Sequence, residues 1–268
     1  MPGKINIDAY SLLETVRKQR PVVHHLTNWV TIYDCANVVK VLGASPVMAH
    51  AKEEAAEMAS IASALVLNIG TLTDDLIEAM KIAAKSANKK GIPVVLDACG
   101  CGATQLRNKK TFELLDETRI DIIKGNASEI AKVAGENVRT KGVDATKVEK
   151  DLIQIAKELA AKRKATVVIT GAEDIVSDGK KLYIVKNGHE MMSHIVGTGC
   201  MAASVIGTFA AVEKDLALAA ASGLVCFEVA SECAVKGSVG PGTFKEKLFD
   251  YLYHLDKKTI DSMQRVEG

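Results

Sequence analysis

The chain has almost no net charge and few aromatic residues. Its 34 basic and 33 acidic residues leave a formal charge of +1, and aromatic residues make up 4% of the sequence. Proteins that bind nucleic acids usually concentrate a clear basic excess on one face or helix. We therefore expect no nucleic-acid partner. The hydrophobic fraction of 48% in 268 residues is sufficient for a large buried core.

The sequence also lacks a long, uninterrupted apolar segment. Several charged residues stand among the first twenty, so there is no room for the apolar region of a signal peptide. An uncharged run covers 195–212, but Gly, Thr and Ser interrupt it and Glu213 ends it. A membrane-spanning helix needs about 20 mostly apolar residues. We therefore expect a buried helix here, no membrane partner and a cytoplasmic protein.

Paired cysteines at the spacing of a zinc site are missing. The six cysteines are scattered along the chain, which is typical of free thiols in a reducing compartment. Cys99 and Cys101 form a C-x-C, but no second pair stands at the spacing of a zinc finger. A structural role for these two residues is favoured over a metal site.

Apolar runs of strand length alternate with helical patterns through most of the chain. Continuous apolar runs are typical of strands that helices cover on both faces. A hairpin is predicted around 177–180, and helical patterns continue from Gly199. No linker or repeat breaks this order, so we predict one α/β domain over 1–268, with a mostly parallel sheet and helices on both faces. The predicted strands are 21–26, 46–49, 64–70, 92–97, 120–124 and 166–171, and the predicted helices before residue 170 are 32–42, 53–61, 74–89 and 148–162.

Polar residues follow several of the predicted strands. Asn68, Asp97, Lys124, Asn126 and Thr170 all lie at or just beyond the end of a strand. Ligands of open parallel sheets bind outside the carboxyl ends of the strands. We therefore expect these side chains to meet at one rim of the sheet.

Asp97 and Glu129 are candidates for a magnesium site. Mg²⁺ prefers oxygen ligands and commonly uses one or two carboxylates. Asn126 and Glu129 also have the spacing of a helix capping box, and that interpretation is favoured when the pair is considered alone. Asp97 on a neighbouring strand reverses the preference, because two carboxylates then face one rim.

The segment Gly197-Thr198-Gly199-Cys200 precedes an apolar helical pattern. Glycines allow a tight turn and close approach of a ligand, and the first turn of a helix offers unpaired N–H groups. The motif therefore predicts an anion site, with Cys200 either beside a phosphate cradle or acting as a nucleophile. No Walker A motif occurs, and a dinucleotide fingerprint is disfavoured because a helical segment follows where an acidic strand end is needed.

Together these segments resemble the hydroxyethylthiazole kinase family, within the ribokinase-like superfamily of small-molecule kinases. The resemblance covers nearly the whole chain and is most specific around Gly-Ala-Ser-Pro-Val-Met, which ends at Met48. It implies a ribokinase-like three-layer sandwich and a homotrimer with its sites between subunits. The segments that carry it are 23–28, 36–37, 42–49, 67–72, 124–129, 168–171 and 197–200.

The resemblance implies an activity and a set of site residues. The activity is ATP- and Mg²⁺-dependent phosphorylation of the primary alcohol of 4-methyl-5-(2-hydroxyethyl)thiazole, which supplies thiamine phosphate synthesis. Cys200 stands at the position of the base, and the backbone of Gly197, Thr198 and Gly199 would form an anion hole. The other implied roles are Met48, Gly197 and Asn28 for the thiazole, Lys124, Thr170 and Asn126 for ATP, and Asp97 and Glu129 for Mg²⁺.

One departure from the family pattern lies directly after Asp97. Relatives usually carry Pro-Val-Gly there, whereas this chain has Ala98-Cys99-Gly100. Because proline fixes φ, its loss predicts a less rigid metal loop. Three alternatives stay open: a hydroxymethylpyrimidine or pyridoxal kinase of the same superfamily, a cysteine-nucleophile hydrolase, and a ligand-binding protein on a kinase scaffold.

Overall fold

The computed structural model describes residues 3–136 and 151–268. These residues form one ten-stranded sheet with helices on both faces. The strands are β1 (Lys4–Ile5), β2 (Val22–Leu26), β3 (Ser45–Val47), β4 (Ala64–Asn68), β5 (Val94–Asp97), β6 (Ile122–Asn126), β7 (Thr166–Thr170), β8 (Asp174–Ser177), β9 (Leu182–Val185) and β10 (Val266–Glu267). Their spatial order is β1-β10-β9-β8-β7-β6-β5-β4-β2-β3.

Helices pack on both faces of this sheet. Apolar residues of α1, α2 and α8–α11 form one core with the first face, and those of α3–α7 form a second core with the other. The predicted sandwich of helices, sheet and helices is confirmed. The helices are α1 (Ala9–Gln19), α2 (Ile32–Val41), α3 (Lys52–Ile61), α4 (Asp74–Lys90), α5 (Gln105–Glu117), α6 (Ala127–Ala134), α7 (Leu152–Arg163), α8 (Thr198–Ala210), α9 (Leu216–Val235), α10 (Pro241–His254) and α11 (Lys257–Met263).

The centre of the sheet is parallel and one side of it is antiparallel. Strands β3, β2, β4, β5, β6 and β7 pair in parallel. The hairpin predicted around 177–180 forms β8 and β9, which continue the sheet antiparallel to β7. The parallel strands therefore point their carboxyl ends to one rim, as the pattern of polar residues predicts.

Most predicted bounds differ from the structure by one or two residues, with the largest changes at β6 and α7. The strand predicted over 120–124 is displaced to Ile122–Asn126, because β6 pairs along its whole length with β7 and Asn126 lies opposite Thr170. Pairing with a neighbour thus overrides the local turn preference of Gly125 and Asn126. The helix predicted over 148–162 is described as Leu152–Arg163, and residues 148–150 lie outside the described residues.

Glycine brings α8 close to the sheet. A Cβ atom at Gly207 would overlap with Cγ2 of Val66 on β4, so only glycine allows this separation. Residues Met201–Ala210 of α8 are buried. This packing fixes the helix with its first turn at the carboxyl rim, where the anion site is predicted.

Helix α9 is the most apolar of the long helices. By length and composition alone Leu216–Val235 could cross a membrane, but 83% of its apolar window is buried inside the protein. It packs against α8, α10, α1, α11 and the sheet. A core helix of an α/β protein gives the same signal.

A buried histidine on β2 predicts acid sensitivity. His25 is fully buried, with Nδ1 3.1 Å from the Val23 carbonyl oxygen, and burial lowers its pKa from 6.5 to about 3. The unfolded chain therefore binds the extra proton between these pH values, so this contribution to stability is complete above pH 6.5 and is lost as the pH falls towards 3. We expect a loss of about 1.4 kcal/mol in the free energy of unfolding per pH unit across that window.

Urea unfolding at a series of pH values measures this slope. His25→Gln should reduce the slope without removing it, because burial also lowers the pKa of His24. His254→Gln, on the exposed end of α10, should reproduce the wild-type profile. Equal slopes in the wild type and His25→Gln would contradict the assignment.

Candidate active site

Two adjoining cavities open at the carboxyl rim of the sheet. The larger has a volume of about 700 Å³ and the smaller about 380 Å³. Apart from the residues common to both, residues after 170 line the larger cavity, whereas residues 28–31 and 70–71 contribute to the smaller. Asn126, Thr170 and Gly199 line both cavities. The two spaces therefore meet at a shared wall formed by these three residues.

The first turn of α8 forms part of this wall. Gly197 has a left-handed backbone with φ +98° and precedes the helix, and its carbonyl accepts the first intrahelical hydrogen bond from the Met201 amide at 2.8 Å. The amides of Thr198, Gly199 and Cys200 thus belong to the orphan donors of a helix start. Thr198 Oγ1 donates to the Met192 carbonyl at 3.0 Å and anchors the turn. The arrangement suits a phosphate or other anion.

The Cys200 thiol is surrounded by hydrogen-bonding groups. Asn28 Nδ2 donates to Cys200 Sγ at 3.3 Å. The pKa of Cys200 is lowered to about 5, first by a hydrogen bond with the Cys99 thiol and then by the charge of Lys124 and hydrogen bonds with Thr31 and Asn28, while burial opposes this shift. The surroundings therefore favour a thiolate at neutral pH.

No histidine of the described residues lines the smaller cavity. His24 and His25 are buried and lie against the backbone carbonyls of Ala49 and Val23. His50 contacts the backbone of Thr27 and Met48. A cysteine hydrolase needs an imidazole as base beside its nucleophile, so the hydrolase alternative has no support in this geometry.

Asp97 and Lys124 form a buried ion pair at the end of neighbouring strands. Lys124 Nζ lies 3.4 Å from both carboxyl oxygens of Asp97, and the two residues are 3% and 2% exposed. Burial raises the pKa of Asp97 against the opposing charge of Lys124. Burial alone would lower the pKa of Lys124, but the carboxylates of Asp97 and Glu129 outweigh it, so the ammonium is charged.

Two asparagines connect this ion pair to Cys200. Asn68 Nδ2 donates to Asp97 Oδ2 at 2.8 Å, and its Oδ1 accepts from Asn28 Nδ2 at 3.0 Å. Asn28 Oδ1 also accepts from the amide and hydroxyl of Thr31. The network extends across the ends of β2, β4, β5 and β6, and it fixes the side chains at the floor of the smaller cavity.

Glu129 combines the two roles considered from the sequence. The capping box is present: the Glu129 amide donates to Asn126 Oδ1 at 2.9 Å, and Glu129 Oε2 accepts from the Asn126 amide at 2.7 Å. Oε1 accepts from the Gly100 amide at 2.6 Å. The carboxylate also lines the smaller cavity together with Asp97, so helix capping does not remove it from the site.

These two carboxylates fit a hard divalent cation that brings further ligands with it. Within the described residues no cluster of three or more His, Cys, Asp or Glu side chains could hold a metal by itself. Mg²⁺ is commonly held by one or two carboxylates, with waters and substrate phosphates completing its six ligands. Asp97 and Glu129 match that pattern and not a closed protein site.

The larger cavity contains a second pair of buried acids. Asp174 and Glu228 both line it, and burial raises the pKa of each. Asp174 also accepts from the Gly171 amide at 2.9 Å. The volume of the larger cavity, about 700 Å³, leaves room for a ligand the size of a nucleotide.

The structure brings together all but one of the site residues suggested by the sequence. Met48 lines neither cavity and lies just after β3, where its carbonyl oxygen is 3.0 Å from His50 Nδ1. Sequence reasoning did not identify Thr31 or Cys99, which both line the smaller cavity with Cys200. The place of Cys99 in the turn after the Asp97 strand was the available signal. Thr198 lines the larger cavity. The predicted residues that line the smaller cavity are Asn28, Asp97, Lys124, Asn126, Glu129, Thr170, Gly197, Gly199 and Cys200.

Comparisons with known proteins show which family the chain is similar to. The model of the hydroxyethylthiazole kinase family matches residues 13–258. A hydroxyethylthiazole kinase of Methanosarcina mazei is 55% identical over 95% of this chain and 98% of its own length. That of Thermoanaerobacter pseudethanolicus is 45% identical over 96% of this chain and 98% of its own.

Solved structures give the same answer for the fold. A hydroxyethylthiazole kinase protein from Pyrococcus horikoshii OT3 is 40% identical, with a TM-score of 0.89 over 97% of this chain and 98% of its own. A ribokinase-like superfamily protein from Enterococcus faecalis V583, 15% identical with a TM-score of 0.64, covers 94% of this chain and 98% of its own. The predicted ribokinase-like architecture is confirmed.

Gly197 is expected to tolerate no side chain. A Cβ atom there would overlap with Thr31 Cγ2, in addition to the cost of a left-handed φ for a non-glycine residue. We expect Gly197→Ala to lower the free energy of unfolding by about 2–4 kcal/mol. Chemical unfolding monitored by circular dichroism measures the change.

Gly135 provides the matched control, because its φ is +95° and a Cβ atom added there would meet no atom of the described residues within 4 Å. Gly135→Ala should cost only about 1 kcal/mol. Thr31→Ser, which removes the overlapping methyl group, should restore part of the loss in Gly197→Ala. Equal costs at the two glycines would show that the contact with Thr31 is unimportant.

Proposed function

Because the chain belongs to the hydroxyethylthiazole kinase family, we propose that it transfers the γ-phosphoryl group of ATP to the primary alcohol of 4-methyl-5-(2-hydroxyethyl)thiazole. The observation that carries this proposal is the shared wall between the two cavities. The larger cavity holds ATP and the smaller holds the thiazole alcohol, so donor and acceptor meet at the first turn of α8. The product is the thiazole phosphate used to make thiamine phosphate.

The residues at the shared wall supply positioning and positive charge. Phosphoryl transfer passes through a loose transition state that depends mainly on alignment and charge stabilisation. The amides of Thr198, Gly199 and Cys200 face the transferred group, and Lys124 adds a fixed positive charge; its Nζ would lie 3.2 Å from a Cβ at Gly199. Asn126 and Thr170 contact ATP from the same wall.

Cys200 receives the proton of the substrate alcohol. Its lowered pKa makes the thiolate available, and Asn28 holds the sulfur in place through the hydrogen bond at 3.3 Å. Asn28 and Gly197 border the alcohol from the two sides of the smaller cavity. Met48, which lies outside this cavity, is proposed to contact the thiazole at the boundary between two subunits.

Asp97 and Glu129 would hold Mg²⁺ together with the phosphates of ATP. When bound, Mg²⁺ supplies positive charge that neutralises the phosphate oxygens. Lys124 keeps Asp97 oriented towards the cavity through the buried ion pair. The capping box fixes Glu129 in the same way.

A second copy of the chain is proposed to complete the acceptor side, in a homotrimer in the cytoplasm. Trp29, Val30, Tyr33 and Val196 are large apolar residues that are more than half exposed. Val30 and Val196 line the smaller cavity directly. An apolar surface at the mouth of a substrate cavity supports burial against another subunit.

An acceptor assay tests the proposed function. We expect Mg²⁺-dependent ADP release with hydroxyethylthiazole, and a kcat/KM lower by roughly tenfold or more with hydroxymethylpyrimidine or pyridoxal, because these acceptors carry six-membered rings with other polar substituents. A coupled spectrophotometric assay measures the rates, and chelation of the metal should abolish them. Equal rates with all three acceptors, or full activity without metal, would contradict the proposal.

The control for the metal is the double substitution Asp97→Asn and Glu129→Gln, which keeps the volume of both side chains. Turnover of this variant should fall strongly and its demand for Mg²⁺ should rise. A folded double variant with unchanged turnover and Mg²⁺ dependence would show that the metal is bound elsewhere.

The role of Cys200 is to be tested by two substitutions. Cys200→Asp should keep turnover within about tenfold, because a carboxylate also accepts a proton at this position, whereas Cys200→Ala should lose about 10²–10⁴-fold. Steady-state kinetics at saturating substrates measure both values. Cys226→Ser, on α9 and away from both cavities, is the control for loss of a buried thiol. Complete inactivity of a folded Cys200→Asp enzyme would point to covalent chemistry of the thiol.

A further inference from the structure

A carboxyl oxygen without a partner lies at the wall of the larger cavity. Glu228 lines this cavity from α9 and is only 6% exposed. Its Oε2 is buried and has no hydrogen-bond partner among the described residues. Burying a polar atom without a partner costs free energy, and such atoms are rare in folded proteins. A ligand in the cavity that donates a hydrogen bond to this carboxyl would remove the cost.

The next acid on the same face of α9 has a structural role that Glu228 does not share. Glu232 stands one helical turn later and accepts from the Gly188 amide at 2.9 Å. Asn187 Nδ2 and Arg265 Nη2 donate to the same carboxylate at 3.0 and 2.7 Å. The loop after β9 is thus tied to α9 through Glu232, and the free oxygen of Glu228 is not explained by the need to hold this loop.

Gly188 leaves the carboxyl of Glu228 uncovered. A Cβ atom at Gly188 would lie 3.6 Å from Cδ and 3.8 Å from Oε2 of Glu228. Because both residues line the larger cavity, a side chain at position 188 would cover the carboxyl. The last torsion of a glutamate side chain is broad, so a small rotation turns Oε2 into the cavity.

The position of Glu228 relative to the shared wall matches the ribose of a nucleotide. Thr170 of the wall ends β7, and β8 and β9 follow it in the sheet on the side away from β6. Gly188, the neighbour of Glu228, lies just beyond the end of β9. Two strand spacings amount to about 10 Å. Two phosphates separate the ribose of ATP from the transferred group, so the ribose falls at about this distance from the wall and the base lies further away.

We propose that the carboxyl group of Glu228 binds the vicinal 2′- and 3′-hydroxyls of the ribose of the phosphate donor, and that this contact makes the site selective for ribonucleotides. The inference rests on the proposed function, because it takes ATP as the occupant of the larger cavity. It adds a residue that recognises the donor at a distance from the transferred phosphoryl group.

Hydroxyl groups suit this carboxyl better than a metal ion or an amino group does. A hydroxyl both donates and accepts hydrogen bonds, so it pairs with an ionised and with a protonated carboxyl, whereas an amino group of a base only donates. This matters because burial and the charge of Asp174 raise the pKa of Glu228. Within the described part of the chain, no third His, Cys, Asp or Glu joins these two acids to hold a metal. Acidic side chains also bind ribose hydroxyls in dinucleotide-binding proteins.

Calorimetric titration of the full-length protein with two nucleotides tests the contact. ATP and 2′,3′-dideoxy-ATP are each titrated in the presence of Mg²⁺, and the Kd values are compared. We expect the dideoxy nucleotide to bind about tenfold or more weakly, which is the effect of losing a hydrogen bond to a charged group. Equal Kd values for the two nucleotides would overturn the proposal.

Substitutions separate Glu228 from other sources of this difference. Glu228→Met keeps the length of the side chain without its carboxyl, and it should bring the two Kd values close together by weakening ATP alone. Glu228→Gln still donates and accepts hydrogen bonds, so it should keep most of the difference. Ser222→Ala removes another buried oxygen of α9 that has no partner among the described residues, away from both cavities, and should reproduce the wild type. The full wild-type ratio in Glu228→Met would overturn the proposal.

Two further measurements distinguish this inference from its rivals. If Glu228→Met changes the preference for ATP over GTP and leaves the ratio of ATP to dideoxy-ATP unchanged, the carboxyl contacts the base and the proposal is wrong. Loss of the ratio in Glu228→Met, in a protein whose wild type releases no ADP with hydroxyethylthiazole, would support the ribose contact and refute the proposed function alone. Normal turnover of the wild type with equal Kd values for the two nucleotides would refute the ribose contact alone.

Discussion

The buried ion pair between Asp97 and Lys124 is the interaction on which the rest of the site depends. Removing two charges from water is costly, and the pair is tolerated only because hydrogen bonds satisfy the remaining polar atoms. Asn68 supplies one of them and connects to Asn28, which in turn reaches Cys200. The orientation of the sulfur is thus coupled to the position of a carboxylate two strands away from β2. Such a network is more costly to alter at one position than a set of independent contacts.

The parallel sheet explains why this network can exist. Four neighbouring strands, β2, β4, β5 and β6, end at the same rim, so residues far apart in sequence become close in space. Gly207 sets the distance between α8 and the sheet, because the absence of a side chain lets the helix pack directly against the strands. The anion-binding amides and the buried charges are therefore placed by backbone packing, with little dependence on loop conformation.

The alternation of strands and helices, the hairpin and the convergence of polar residues could all be predicted from the sequence. These features follow from local patterns and from the direction of parallel strands. The presence of Cys99 and Cys200 in one cavity could not be predicted, because it depends on how two turns are placed across the rim. The buried ion pair of Lys124 with Asp97 could not be predicted either, because it depends on the pairing of β5 with β6. The family resemblance implies that Met48 contacts the substrate, but the single chain places it outside both cavities, and a local motif gives no information about a neighbouring subunit.

The two cavities are lined mostly by different parts of the chain. Much of the smaller cavity, proposed for the acceptor, comes from residues before 100, and the larger cavity, proposed for ATP, comes mostly from residues after 170. Substitutions that reshape one cavity therefore leave most of the other untouched, and the three residues of the shared wall are the main constraint common to both. A scaffold of this kind allows the acceptor to change during evolution while the use of one phosphate donor is inherited unchanged.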